Sequence, residues 1–378
     1  MIVRRVGLAA LALAGSVVLA ACGSSDSSDG SQTTTVPVAT ASGKPSGDLT
    51  ISNWALYIDK KTIPEYEQES GIDVNYVEEI NSYDEFFGKM QPLLATGDSG
   101  GRTLMVANDV LARRMYQLGY LQRLDHDALA PAFKHLNPIA SQGSDAAHDY
   151  SIPWQGGMTG LIVNKDLAPD IHSVNDLFDP KYKGKVEMIT ELPEVVPLVM
   201  MAEGKDPLRA SKQDWLDAIA KIKTAADDGQ IRRFTGGDYA RDLASGDAVA
   251  VIGWAADAFQ LSADNPSLSW VMPTEGCILW WDNWVVPVGA PNPTAGYDWI
   301  NYTYDPEHQA QIDAWTGAVT PVAGVKPVLQ QSDPDMARSE LVFPSAQYTH
   351  NCSGPLSPPG DDADEREVQQ AWSDVTGV

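Results

Sequence analysis

Apolar and polar positions alternate along this chain in two rhythms, and the rhythms exchange places in a regular order. Leu49-Thr50-Ile51-Ser52-Asn53-Trp54 has the two-residue period of a strand. Residues 63–70 have helical spacing, and Gly71 stops them. Ile72-Asp73-Val74-Asn75-Tyr76-Val77 alternates again, 83–94 predicts a helix, Leu104-Met105-Val106 a short buried strand, and 111–118 a helix closed by Gly119. Strand, helix, strand, helix, strand predicts a parallel α/β sheet. Further on, strands are predicted at 161–164, 185–189, 249–254 and 269–273, a short helix and turn at 176–182, and helices at 195–202, 213–226, 295–302 and 306–314. In the helix 213–226, Trp215, Ile219, Ile222 and Ala225 share one face. Between these runs, Asp149-Tyr150-Ser151-Ile152-Pro153-Trp154-Gln155-Gly156-Gly157 mixes extended residues with Pro and paired Gly, which suits a crossing between two lobes. Thr320-Pro321 is a second expected crossing.

The first residues carry a different pattern. Arg4 and Arg5 precede an apolar stretch from Val6 to Ala21 that stops at Leu19-Ala20-Ala21-Cys22. This is the layout of an export signal, residues 1–21. Small residues before a cysteine look like a bacterial lipobox, with Cys22 as the lipidated residue. Residues 22–47 are then expected to be the lipidated Cys and a disordered linker, because Ser, Gly, Asp, Thr, Pro and Ala supply too little apolar surface to offset ordering. No other apolar run approaches the ~20 residues that a membrane helix needs. The expectation is a monomer held by a lipid on the extracytoplasmic face of a bacterial cell membrane.

Charge narrows the function. Asp and Glu number 51 against 26 Lys and Arg, a formal net charge of −25. Nucleic acid is disfavoured, since its binding rests on neutralising phosphates with basic residues. A cationic solute is compatible with such a field. The six His are scattered without metal-ligand spacing, and no phosphate loop or nucleophile elbow is present, so no metal and no cofactor are expected. Of the three Cys, Cys277 and Cys352 remain once Cys22 is assigned to lipid; they form a disulfide in an oxidising compartment or are two buried thiols, and the disulfide is favoured.

The candidate chemistry centres on Trp280-Trp281-Asp282-Asn283-Trp284. Indole faces attract a cation by about 0.5–2 kcal/mol, and a carboxylate adds a charge-assisted hydrogen bond. The same run reads equally as a core strand with Asp282 at its end.

Asn53-Trp54, Met115-x-x-x-Gly119-x-Leu121-x-x-Leu124-Asp125, Tyr150-Ser151-Ile152-Pro153, Asp179-Pro180-Lys181-Tyr182-Lys183-Gly184, Trp280-x-Asp282 and Thr320-Pro321 fall in an order that resembles bacterial periplasmic spermidine/putrescine-binding proteins of ABC transporters. The resemblance implies an α/β fold of the two-lobe periplasmic-binding-protein type, with discontinuous lobes and a hinge of crossover strands. The lobes would be 48–154 plus 277–321 and 155–276 plus 322–378. It further implies a binder rather than an enzyme, which presents a polyamine or related cationic amine to an ABC permease. Carried over by position, the ligand-binding residues are Trp54, Tyr57, Glu191, Glu194, Trp254, Trp280 and Asp282. Asp257 is a further cleft carboxylate or a helix cap. The chain departs from the family pattern at Leu56, around Val110-Leu111 and at Ala318, so the first-lobe end of the site is altered and the solute is left open. The alternatives are another small solute, such as a quaternary amine or amino acid, and an extracellular glycosidase using Glu191 or Glu194 with Asp282. Arg232 and Arg233 fall outside the cleft segments and read as surface ion-pairing residues.

Overall fold

The computed structural model describes residues 36–142 and 145–377. The expected export signal, the lipidated Cys22 and residues 23–35 of the expected linker lie outside the described residues. Among the described residues, nine strands join in one hydrogen-bonded sheet: β1 (Asp48–Trp54), β2 (Asp73–Ile80), β3 (Leu104–Asn108), β4 (Ile152–Asn164), β5 (Val186–Ile189), β6 (Ile231–Thr235), β7 (Ala250–Trp254), β8 (Leu268–Val271) and β9 (Ile278–Val285). The strand order is β2-β1-β3-β9-β4-β7-β5-β6, and β8 also pairs with β4. Pairing is parallel within β2-β1-β3 and within β7-β5-β6, as the alternating sequence pattern predicts. The two halves meet through β4 and β9, which run antiparallel to each other.

Two main apolar cores flank this central pair. One gathers Leu49, Ile51, Phe86, Leu104, Trp154, Trp284, Trp299 and their neighbours. The other gathers Leu161, Met188, Val195, Trp215, Ile252, Trp280 and Trp372. Both central strands contribute to both cores: β4 gives Ile152 and Trp154 to the first and Leu161 to the second, while β9 gives Trp284 to the first and Trp280 to the second. The crossover strands are therefore β4 and β9. Their crossing requires the pair Gly156-Gly157. Gly156 lies opposite Trp281 and Gly157 opposite Trp280. A Cβ on Gly157 would stand 2.3 Å from Trp280 Cζ2, and one on Gly156 2.6 Å from Trp281 Cζ3. The indoles occupy the space that side chains would need.

Two boundaries differ from the expectation. Residues 36–47, expected as linker, lie on the folded body: Ala39 is buried, its N–H reaches Arg123 O at 2.8 Å, and Arg123 N–H reaches Pro37 O at 2.9 Å. Further bonds from Ala41 N–H to Asp125, Ser42 N–H to Thr294 and Asn292 Nδ2 to Ser46 O help hold a segment whose composition alone reads as unfolded. Residues 322–343, expected in the second lobe, supply Val322, Val325, Leu329, Met336 and Val342 to the first core. The short helix Val325–Ser332 packs beside Pro306–Thr316, which keeps the chain on that side. The chain returns to the second core through Leu356 and then the final helix, Asp362–Thr376, which contributes Val368 and Trp372. No helix among the described residues is long and apolar enough to cross a membrane.

Candidate functional site

The sheet directs its chemistry to one place. In an antiparallel ladder, directly paired residues put their side chains on the same face. Asn108 of β3 pairs with Asp282 of β9, Asp282 with Gln155 of β4, Trp280 with Gly157, and Thr159 of β4 with Trp254 of β7. Four neighbouring strands thus share a polar and aromatic face. The carboxyl ends of the parallel strands supply the rest. Trp54 ends β1 and Tyr57 follows it. Tyr83 opens the helix after β2, Glu191 and Glu194 open the helix after β5, and Trp254 ends β7. Binding at the carboxyl ends of strands, where the strand order switches, is the general rule for open α/β sheets.

Asp282 is 4 % exposed, and both of its oxygens accept from tyrosine. Tyr57 Oη donates to Oδ2 at 3.0 Å, and Tyr83 Oη donates to Oδ1 at 2.5 Å. Trp54 Nε1 donates in turn to Tyr83 Oη at 3.0 Å. Glu194, also 4 % exposed, accepts from Thr159 Oγ1, and from Trp254 Nε1 at 3.0 Å. Trp280 Nε1 donates to the same Thr159 Oγ1 at 2.9 Å. Glu191 receives the Tyr83 backbone N–H at 3.4 Å and makes no capping bond to its own helix. Asp257 is not a helix cap either: its Oδ2 accepts from Tyr239 Oη. All eight residues expected from the sequence fall in this connected group. The rings of Trp54 and Trp254, which pack on different cores, meet edge to face at 5.5 Å.

The electrostatics follow from burial. Desolvation, with the charges of Glu194 and Asp109 beside it, pushes the Asp282 carboxyl up to about 7 against the bonds from the two tyrosines. Desolvation likewise pushes Glu194 up to about 7 and Asp257 up to about 6. Glu191 is raised well above the usual carboxylate range by burial and then by the Glu194 charge. Among the described residues, none of the four forms an ion pair with Lys, Arg or His within 4.0 Å. Arg232 and Arg233 are engaged elsewhere, with Glu187 and Asp242.

Tyr83, Thr159 and Tyr239 were not singled out by the sequence. Each is neutral and common, and its role comes from a carboxylate far away in the chain. Cys277 and Cys352 are disulfide-bonded, fastening the loop before the final helix to the residue preceding β9. Among the described residues, no group of three His, Cys, Asp or Glu is placed to hold a metal.

Comparisons with known proteins agree with this architecture. The bacterial extracellular solute-binding protein family matches residues 61–341. The spermidine/putrescine-binding periplasmic protein of Escherichia coli K12 is 25% identical over 303 residues, covering 79% of this chain and 84% of that one. The putrescine-binding periplasmic protein PotF of the same organism is 28% identical over 291 residues, covering 70% of this chain and 75% of its own. Among solved structures, the spermidine/putrescine ABC transporter substrate-binding protein PotD from Streptococcus pneumoniae shares the fold, with a TM-score of 0.70 at 20% identity over 87% of this chain and 98% of that one. A two-lobed α/β body with crossover strands, matched by that family over most of its folded length, places the chain among the bacterial extracellular solute-binding proteins, which carry solutes for transport and are not enzymes.

Proposed function

We propose that the protein captures a diamine or polyamine between its two lobes and presents it to an ABC permease. The observation that carries this reading is the set of four carboxylates, Glu191, Glu194, Asp257 and Asp282, grouped with Trp54, Tyr57, Trp254 and Trp280 and, among the described residues, with no basic side chain paired to them. Isolated buried carboxylates are costly. A cation removes that cost, and its methylene chain gains contact with the ring faces. The names of the relatives, which bind spermidine or putrescine, support the same solute class. An amino acid would need a cationic partner for its carboxylate, and the group offers none.

Each side of the site belongs to a different core, so the bound cation would hold the two halves together. On the packing, we assign one lobe to residues 36–154 and 284–343, and the other to 161–280 with the final helix, joined by β4 and β9. Lipidation at Cys22 would keep this binder on the membrane beside its permease, as a monomer. Isothermal titration and thermal melting with putrescine, cadaverine, spermidine and choline test the ligand class. A melting shift and binding heat with at least one diamine or polyamine are expected. No response to any of the four would overturn the reading.

A further inference from the structure

Gln155 lies at the centre of the site yet belongs to none of the hydrogen-bonded chains that involve the carboxylates. It is fully buried on β4 and directly opposite Asp282 on β9, so both side chains project from the same face. Its amide orientation is set chemically: Nε2 donates to the backbone carbonyl of Tyr57 at 2.9 Å, and only the nitrogen end of an amide can serve a carbonyl. The other end, Oε1, is therefore turned away from that carbonyl, and it is a buried acceptor with no hydrogen-bond partner. Such an atom costs free energy unless something donates to it. The nearest paired neighbour, Asp282, already accepts a tyrosine hydroxyl on each oxygen.

We propose that Gln155 Oε1 accepts an N–H of the solute's ammonium group, so that the site recognises an amine carrying N–H bonds and not positive charge alone. This rests on the amine reading above. A primary ammonium has three N–H donors to place. Asp282 supplies charge and part of the acceptor set, and Gln155 supplies a neutral acceptor alongside it. A quaternary ammonium of equal charge would leave Oε1 buried and unpaired. Sites built to hydrogen-bond a group reject analogues that lack it far more strongly than apolar pockets reject a change of size.

The test is titration calorimetry with 1,4-diaminobutane and its bis(trimethylammonium) analogue on the parent, Gln155→Met and Gln155→Glu. The parent is expected to favour the primary diamine by at least about tenfold. Gln155→Met is expected to weaken diaminobutane by about tenfold. Gln155→Glu keeps an acceptor while losing the donor to Tyr57, and is expected to hold affinity within about threefold or improve it. Equal weakening in both variants would mean that Gln155 serves only to position Tyr57, and would overturn the proposal. So would unchanged binding in Gln155→Met, or a parent that favours the quaternary compound; this last comparison needs no variant to fold. A parent that binds neither compound would instead overturn the amine reading itself, and this inference with it.

Discussion

Replacing Asp282 by Asn separates charge from shape at the centre of the site. Asn can keep both tyrosines. Tyr83 accepts from Trp54 Nε1, so its own proton must go to residue 282, and Asn Oδ1 can take it. Asn Nδ2 can then donate to Tyr57 Oη, whose hydroxyl turns round. Fold and packing should survive. Stability of the unliganded protein should change with a definite sign. The Asp282 carboxyl titrates near 7 when folded, above the ~3.9 of an unfolded Asp, so its ionisation costs stability as pH rises, in full above about 7. Asp282→Asn should therefore melt no lower than the parent at pH 8, with a difference that narrows as the pH falls towards about 4. Binding should fall sharply. Leaving one member of a buried charge pair alone costs about 3–5 kcal/mol. Glu191, Glu194 and Asp257 still surround the cation, so the low end applies, about 3 kcal/mol or roughly a hundredfold in Kd. Calorimetric titration with putrescine at pH 8 measures it. An Asn variant that binds within threefold of the parent would show that the solute does not meet Asp282.

Three further outcomes are expected. Because Asp282 and Glu194 both titrate near 7, each must shed a proton to receive a cation below that pH; diamine affinity should fall from pH 8 to pH 5, by up to about tenfold per pH unit for each group, with protons released on binding at pH 6. A flat pH profile would contradict the burial of these carboxylates. Gly157→Ala pushes a Cβ to 2.3 Å from Trp280, so the indole or the strand must move; a loss of about 1–3 kcal/mol in urea unfolding should be accompanied by weaker binding. Replacing both Cys277 and Cys352 by Ser opens a loop spanning a sequence separation of 75, and chain entropy puts the loss at up to about 4 kcal/mol in the same urea assay. A double variant as stable as the parent would show that the bond adds no net stability.

The alternation of strand and helix was legible because half-buried strands and amphipathic helices carry different periods, and β1, β2, β3 and the helix Lys212–Asp227 lie close to where those periods place them. β4 was not read at its full length. Its 13 residues are all buried, but Pro153 and Gly156-Gly157 are poor strand formers, and only the indoles of β9 explain why glycine is needed. The final helix carried legible signals that the sequence reading did not use: Asp361 and Asp364 form a capping box, and Val368, Ala371, Trp372 and Val375 fall on one face, although its first half is almost wholly polar. At the site, acids and indoles could be named from a resemblance. Tyr83, Thr159, Tyr239 and Gln155 could not, since hydrogen bonds such as Tyr83 to Asp282, 199 residues apart, exist only once the sheet has formed.

The continuity of β4 and β9 constrains how this molecule can flex. No swivelling loop separates the halves at these strands; a ladder of backbone bonds runs from one to the other. Any swing must be absorbed as twist in the paired strands, which yield through small angles spread over several residues. At Gly156-Gly157 indoles take the place of side chains, and Val319 braces Gly156 from the other side through two backbone bonds of 2.8 Å. Asp282, two residues from Trp280, rides on those paired strands rather than on either half. A solute landing there would meet the axle first, and the jaws could then shut around a cargo already seated.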